Sequence, residues 1–201
     1  MKRVTNQRKE EKGQVALLGI LIIMVFVMLL IGMTDVYRLL EMRSWAYQTS
    51  QRAAADGVTT GIQVSNSVRP TSLNDLVPCV GKVQLNTSTA ESQAKATMNS
   101  YLADRSSGFG GPTTMVVAAR NDSGSPVVFY DNPVRGYPDN PARDRFLSSV
   151  GTSWTATEPS VVVAGVIPVK TFLGSFVGVP TIDITYFSVT SVHQPDNLCP
   201  N

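Results

Sequence analysis

The sequence predicts an α+β chain: a long N-terminal transmembrane and stalk helix carrying an extracytoplasmic head built on an antiparallel β-sheet. Three observations carry that reading. Residues 15–33, VALLGILIIMVFVMLLIGM, are apolar or glycine throughout. No proline precedes Pro70 and no glycine lies between Gly32 and Gly57, so nothing punctuates the helical stretch that follows the apolar run. Beyond residue 114 the chain turns to β-branched and aromatic runs separated by Gly, Pro, Asn and Asp.

The apolar run defines the first elements. Nineteen helical residues rise about 28 Å, close to the roughly 30 Å of a bilayer core. Five basic residues, Lys2, Arg3, Arg8, Lys9 and Lys12, stand before it against Glu10 and Glu11, whereas the remaining chain holds 12 basic and 13 acidic residues. A basic flank keeps its side of a membrane helix in the cytoplasm. A cleaved secretory signal is the rival reading, but such a signal has a shorter apolar region ending in small residues. Here the run passes into Thr34-Asp35-Val36-Tyr37-Arg38. The sequence therefore divides into a cytoplasmic tail (1–13), a retained transmembrane helix (14–33), a helical stalk (34–61) and an extracytoplasmic α+β domain (62–201).

Two features mark the stalk. Asp35, Arg38 and Glu41 follow at three-residue steps on one face and are expected to pair as interfacial charges. Above them runs a stripe of small residues: Ala53, Gly57 and Gly61 at four-residue spacing, with Ala46, Ser50 and Ala54 on an adjacent face. Small residues on one face admit a second backbone at close range. Either the chain's own head or a second copy, by self-association through the helix, satisfies that pattern.

These residues bring a family into view. Lys12-Gly13-Gln14 before the apolar run resembles the charged-Gly-Gln opening of TadE/TadG-like proteins of the Tad (Flp) pilus-assembly machinery. Asp35-Val36-Tyr37-Arg38-Leu39 is similar to the family's Asp-Val-Gly-Arg-Leu exit, and 51–61, QRAAADGVTTG, to its small-residue block. The resemblance covers residues 12–61, and more weakly the final strand–connector–strand. It departs at Met24, where many members carry proline, and at Leu18, where prepilin-like members carry glutamate. It implies a pilin-like, pseudopilin-like architecture in a bacterial inner or cytoplasmic membrane, with pilins or pilus-assembly platform proteins as partners. It also implies a candidate processing site between Gly13 and Gln14. The segment Asp122-Ser123-Gly124-Ser125-Pro126 has the wrong spacing for the metal-binding signature of longer TadG-type proteins, so the chain resembles a short form without a von Willebrand-type domain.

The head is read as follows. Residues 62–90 hold Pro70 and Pro78 and read as loop with short strands at most. Ala90, Ala94, Met98 and Tyr101–Leu102 recur at helical steps and predict an amphipathic helix over 89–103, ended by SSGFGGP. MVVAAR (115–120) and VVFY (127–130), separated by NDSGSP, predict a hairpin. Residues 131–145 hold three prolines and read as an exposed loop. VVVAGVIPVK (161–170) and PTIDITYFSVTSV (180–192) predict two further strands, giving a sheet of about four. The connector TFLGSFVGV reads as a short helix or turn covering that sheet.

The chemistry-bearing residues do not assemble into a catalytic pattern. His193 is the only histidine, and no Gly-x-Ser-x-Gly elbow is present. Gly108-Phe109-Gly110-Gly111 lacks the Lys-Ser/Thr ending of a phosphate loop. Asp122, Asp131, Asp139 and Asp144 do not follow the twelve-residue calcium-loop spacing. Cys79 and Cys199 form no CxxC pair; in an oxidising compartment they can join as a disulfide, and two unpaired thiols are the alternative. A net charge of +2 with 16% charged residues argues against nucleic-acid binding. The expectation is a structural or assembly protein with no cofactor, metal or catalytic residue. A bitopic surface protein for ligand binding or adhesion, and a membrane-tethered enzyme, are the alternatives.

Overall fold

In the computed structural model, residues 2–64, 82–122, 127–128, 153–176 and 178–194 are described, with residues 2–15, 64, 128 and 153 described as backbone alone. Helix α1 runs unbroken from Lys2 to Gly61. Sixty residues at 1.5 Å each make it about 90 Å long. Its two halves meet different surroundings. From Leu17 to Leu30 every large apolar side chain is exposed, and this stretch has the length and composition of a single membrane span. From residue 42 upward the burial follows the helical period: Met42, Ala46, Thr49, Ser50, Ala53, Ala54 and Val58 are buried, and the opposite face is open. The same helix is therefore apolar outward below and packed inward above.

Strand β1 (Ile62–Val64) leaves the end of α1 directly and pairs antiparallel with β2 (Val83–Leu85). Helix α2 (Thr87–Asp104) then returns along α1. Its start is fixed twice. Asn86 Oδ1 accepts from the backbone N–H of Thr89 at 3.2 Å, a side-chain N-cap. The backbone N–H of Asn86 donates to the carbonyl of Gly61 at 2.8 Å, joining the end of one helix to the start of the next. Ala90, Ala94, Met98 and Leu102 form the buried face of α2, the positions that the apolar spacing predicts.

The two helices meet through small residues. A Cβ added at Gly57 would lie 2.7 Å from the Ala90 carbonyl oxygen and 2.9 Å from Ala94 Cβ, and one at Gly61 would lie 2.7 Å from Ala90 Cβ. The stripe of Ala46, Ser50, Ala53, Ala54, Gly57 and Gly61 is buried within the chain's own fold. Close backbone approach of this kind turns dispersion into a favourable contact only where no side chain intervenes.

A 3₁₀ turn (Ser106–Gly108) ends α2 and leads to the sheet. Strands β3 (Thr114–Arg120), β6 (Ser160–Lys170) and β7 (Thr181–Ser191) form an antiparallel sheet in the order β3-β6-β7. β6 is central and buried on both faces, which explains its nearly continuous apolar sequence. Val161, Val163 and Ile167 face the helices, whereas Val162 and Ala164 face the other side. Pro168 is tolerated in this central strand because β3 has already ended there: its carbonyl accepts from Gly110 N–H at 2.8 Å, on the side where a proline N–H is not needed. Gly165 is opposite Tyr186, whose ring lies where a Gly165 side chain would be.

The expected hairpin between 115–120 and 127–130 is not formed among the described residues. β4 (Val127–Val128) pairs instead with β5 (Ser153–Trp154). The reason is the second face of the sheet. Val116, Ala118, Val162, Ala164, Phe187 and Val189 are apolar there and need cover; Val127 and Trp154 supply it from above the sheet. Among the described residues, the expected sheet of about four strands is thus a three-stranded one with a two-stranded ribbon stacked on it. The segment 131–145 lies outside the described residues.

The far end of the head is closed by side-chain amides. Asn121 accepts from Leu85 N–H at 2.6 Å and donates to Leu85 C=O at 2.9 Å. Gln194 does the same for Val83, at 3.0 and 2.8 Å. Two carboxamides thereby occupy the free edge of β2 in place of a strand.

Two stability predictions follow from this packing. Gly57→Ala gains up to about 1 kcal/mol of helix propensity, yet it forces α1 from α2, and overpacking costs about 1–3 kcal/mol. We expect a lower melting midpoint of the head by circular dichroism in detergent, whereas Gly19→Ala, with nothing within 4 Å, leaves it unreduced. Burial pushes the Tyr186 phenol above its ordinary pKa. The unfolded chain then releases this proton from pH about 10 upward while the folded chain retains it, so stability falls as pH rises beyond that point. Tyr186→Phe, compared with wild type across that alkaline range, should remove this part of the decline in melting midpoint.

Candidate functional site

The connection between β6 and β7 folds into a short helix, α3 (Phe172–Phe176), held by local hydroxyls and by α1. Thr171 Oγ1 donates to Val179 C=O at 3.0 Å and Ser175 Oγ to Thr171 C=O at 2.8 Å. The first backbone N–H groups of a helix have no partner within it. Here Asp35 supplies one: Oδ1 accepts from Phe172 N–H at 3.0 Å and Oδ2 from Leu173 N–H at 2.6 Å. Asp35 is only 7% exposed. Both of its oxygens are used, and a carboxylate at a helix N-terminus also meets the positive end of the peptide dipoles.

This changes the arrangement expected for the three stalk charges. Asp35 does not pair with Arg38 on the helix surface; it turns inward and holds α3 through a separation of 137 residues. Glu41 accepts from Arg105 at 2.9 Å, an exposed ion pair between α1 and the end of α2. Arg38 is exposed. The reason is geometric: α1 is already covered by the head at this height, so the face carrying Asp35 meets α3. The Arg105 guanidinium also lies 5.4 Å from the ring centroid of Trp45, and Trp45 meets Phe109 at 6.5 Å. Arg105 thus bridges Glu41 and Trp45 and ties the foot of α2 to α1.

Below and beside α3 opens an apolar groove of about 720 Å³ between α1 and the β6–β7 connection. Met28, Leu29, Met33, Leu40, Leu173 and Ile182 are among its walls; among its described lining residues Asp35 is the one carboxylate, and Tyr37 and Thr171 add hydroxyls. Phe172 and Phe176 lie edge to face at 5.9 Å beside it and are 59% and 74% exposed. The connector was expected to cover the sheet; it packs against α1 instead. The legible signal was Asp35 itself, an acid at the end of an apolar run, but nothing in the sequence named its partner.

The remaining candidates are dispersed. Gly13 and Gln14 lie within α1 by backbone. Cys79 and Cys199 fall outside the described residues, as do Asp131, Asp139 and Asp144. His193 is exposed and 2.9 Å from Glu158. Gly108–Gly111 forms the turn between the 3₁₀ segment and β3. Among the described residues no three His, Cys, Asp or Glu side chains converge as a metal-binding group. No family model, curated protein or solved structure matches the chain. The described geometry therefore offers a mechanical juncture between helix and head: a buried carboxylate clamp, a cation bridge and an apolar groove.

Removing the clamp has a local signature. Asp35→Ala leaves two backbone N–H groups without their charged acceptor, and hydrogen bonds to charged groups contribute about 1.5–3 kcal/mol. Amide exchange at residues 172–176 should accelerate by a factor of at least about 10, while the β6–β7 ladder keeps its protection. Hydrogen–deuterium exchange with mass spectrometry reads both.

Proposed function

We propose that this chain is a single-pass, membrane-anchored component of a Tad/Flp-type pilus or related secretion assembly, working through protein–protein contacts. The observation that supports it best is the continuity of α1. One helix provides the exposed apolar girdle and, without a linker, the spine on which α2 and the sheet pack. Such a build presents a head at a fixed height above a bilayer, which suits a scaffold. The basic residues before the run support a cytoplasmic N-terminus and an extracytoplasmic head, in a bacterial inner or cytoplasmic membrane. The pilus assignment rests on the Lys12-Gly13-Gln14 opening, the Asp35–Leu39 exit and the small-residue block of 51–61. Burial of the small-residue stripe inside the head leaves partner contacts to other surfaces.

The test is cross-linking of the full chain in its native membranes, followed by mass spectrometry of partners and of its own N-terminus. Pilins or platform proteins should be captured, and peptides from the basic tail should persist, in keeping with Leu18 in place of the processing glutamate. A mature chain beginning at Gln14 would instead assign pilin-type processing. A monomer that captures no pilus component would overturn the proposal and favour a surface-binding role.

A further inference from the structure

We propose that α3 is a second membrane contact: Phe172 and Phe176 enter the lipid interface beside the anchor, and lipid acyl chains fill the groove between α3 and α1. The inference rests on the reading of α1 as a membrane anchor.

Its first support is height. Asp35 fixes the start of α3 through both carboxylate oxygens, and a Cβ added at Gly32 would lie 3.5 Å from Leu173 Cδ2. Gly32 belongs to the apolar run itself. The groove descends farther, to Met28 and Leu29, about 10 Å below Asp35 along the helix. An anchor whose residues 15–33 occupy hydrocarbon therefore puts the lower part of this groove at acyl-chain depth and α3 at the boundary with the headgroups.

The second support is continuity of the apolar surface. Exposed side chains do not end with Met33; Val36, Tyr37 and Leu40 continue the apolar surface upward, and Phe172, Phe176 and Val179 extend it sideways. Interfacial segments bury an apolar face about 5–10 Å into the headgroup–acyl boundary, and aromatic residues collect at that level. Two adjacent phenylalanines more than half exposed are difficult to reconcile with water on a small head.

The third concerns the identity of the occupant. Asp35, the one carboxylate among the groove's described lining residues, already accepts from α3, and the Thr171 hydroxyl already donates to Val179 C=O, which leaves the Tyr37 phenol as its other polar side-chain group. A protein partner in this place would find an apolar wall with little to fix register or orientation. Lipid chains need neither, and they are continuous with the surroundings of the exposed girdle. Arg38, one turn above Asp35 on α1, and Lys170, next to the start of the connector, are exposed, where cationic side chains would face phosphate headgroups. The carboxylate clamp then has a plain purpose: it neutralises backbone N–H groups that would otherwise enter a poorly hydrated layer unpaired.

The full chain in phosphatidylcholine–phosphatidylglycerol nanodiscs, with and without brominated acyl chains, provides the test. Phe176→Trp adds an emitter at the proposed contact, Phe172→Trp serves where the first variant does not fold, and Phe26→Trp reports the anchor. The expected result is a blue-shifted added emission at 176 or 172 that loses intensity in brominated discs, with Phe26→Trp quenched as well. Red-shifted, unquenched emission at 176 with quenching at 26 overturns this inference and leaves the anchor standing. Blue-shifted emission at 176 without bromine quenching also overturns it, in favour of a protein partner. Loss of quenching at 26 overturns the anchor itself.

Discussion

The fold depends on one helix serving two environments with no break between them. Below residue 33 the helix carries exposed apolar bulk on every side, as a membrane span would; above residue 42 it carries small residues on the packed side and polar ones on the other. Both surfaces are set by composition alone, since the backbone hydrogen bonding is identical throughout. The head then has no independent footing. α2 packs on the small-residue face, the sheet packs on both helices, and α3 is held by a carboxylate from α1. If the inward face of α1 lost its close approach to α2, the sheet would lose the layer that covers Val161, Val163 and Ile167.

The elements with a strong period were legible in the sequence. Long β-branched runs have one dominant use, so β6 and β7 fall within one residue at each end of where VVVAGVIPVK and PTIDITYFSVTSV place them. Four-residue spacing of Ala90, Ala94, Met98 and Leu102 marks α2 within two residues at its start. Pairing was less legible. The turn residues after Arg120 suit a hairpin, but local turn chemistry does not record that Val116 and Ala118 expose an apolar face that needs cover. That requirement comes from the sheet as a whole, and it sends Val127 above the sheet rather than beside it.

The juncture was legible in its parts and not in its assembly. Asp35, Arg38 and Glu41 share a helix face, and the local expectation is that they satisfy one another. The structure gives two of them distant partners, Phe172–Leu173 and Arg105. Charge on a helix surface pairs locally only where nothing else approaches, and approach is a tertiary fact. The groove was illegible for the same reason. Its lining comes from three places in the chain, and each set of residues reads locally as core or as membrane span.

The absence of a linker between girdle and head has a mechanical meaning. From Met33 to Gly61 the helix extends about 42 Å. Membrane helices tilt by about 20° on average, and such a tilt would carry the distal β1–β2 ribbon sideways by about 14 Å. With the apolar run seated in a bilayer, as proposed, α1 would be a stiff lever with the α3 end of the head near its fulcrum and the β1–β2 ribbon at its far end. A push on one end, by a neighbouring subunit or by a change in bilayer thickness, would therefore be delivered at the other as displacement instead of being absorbed along the way.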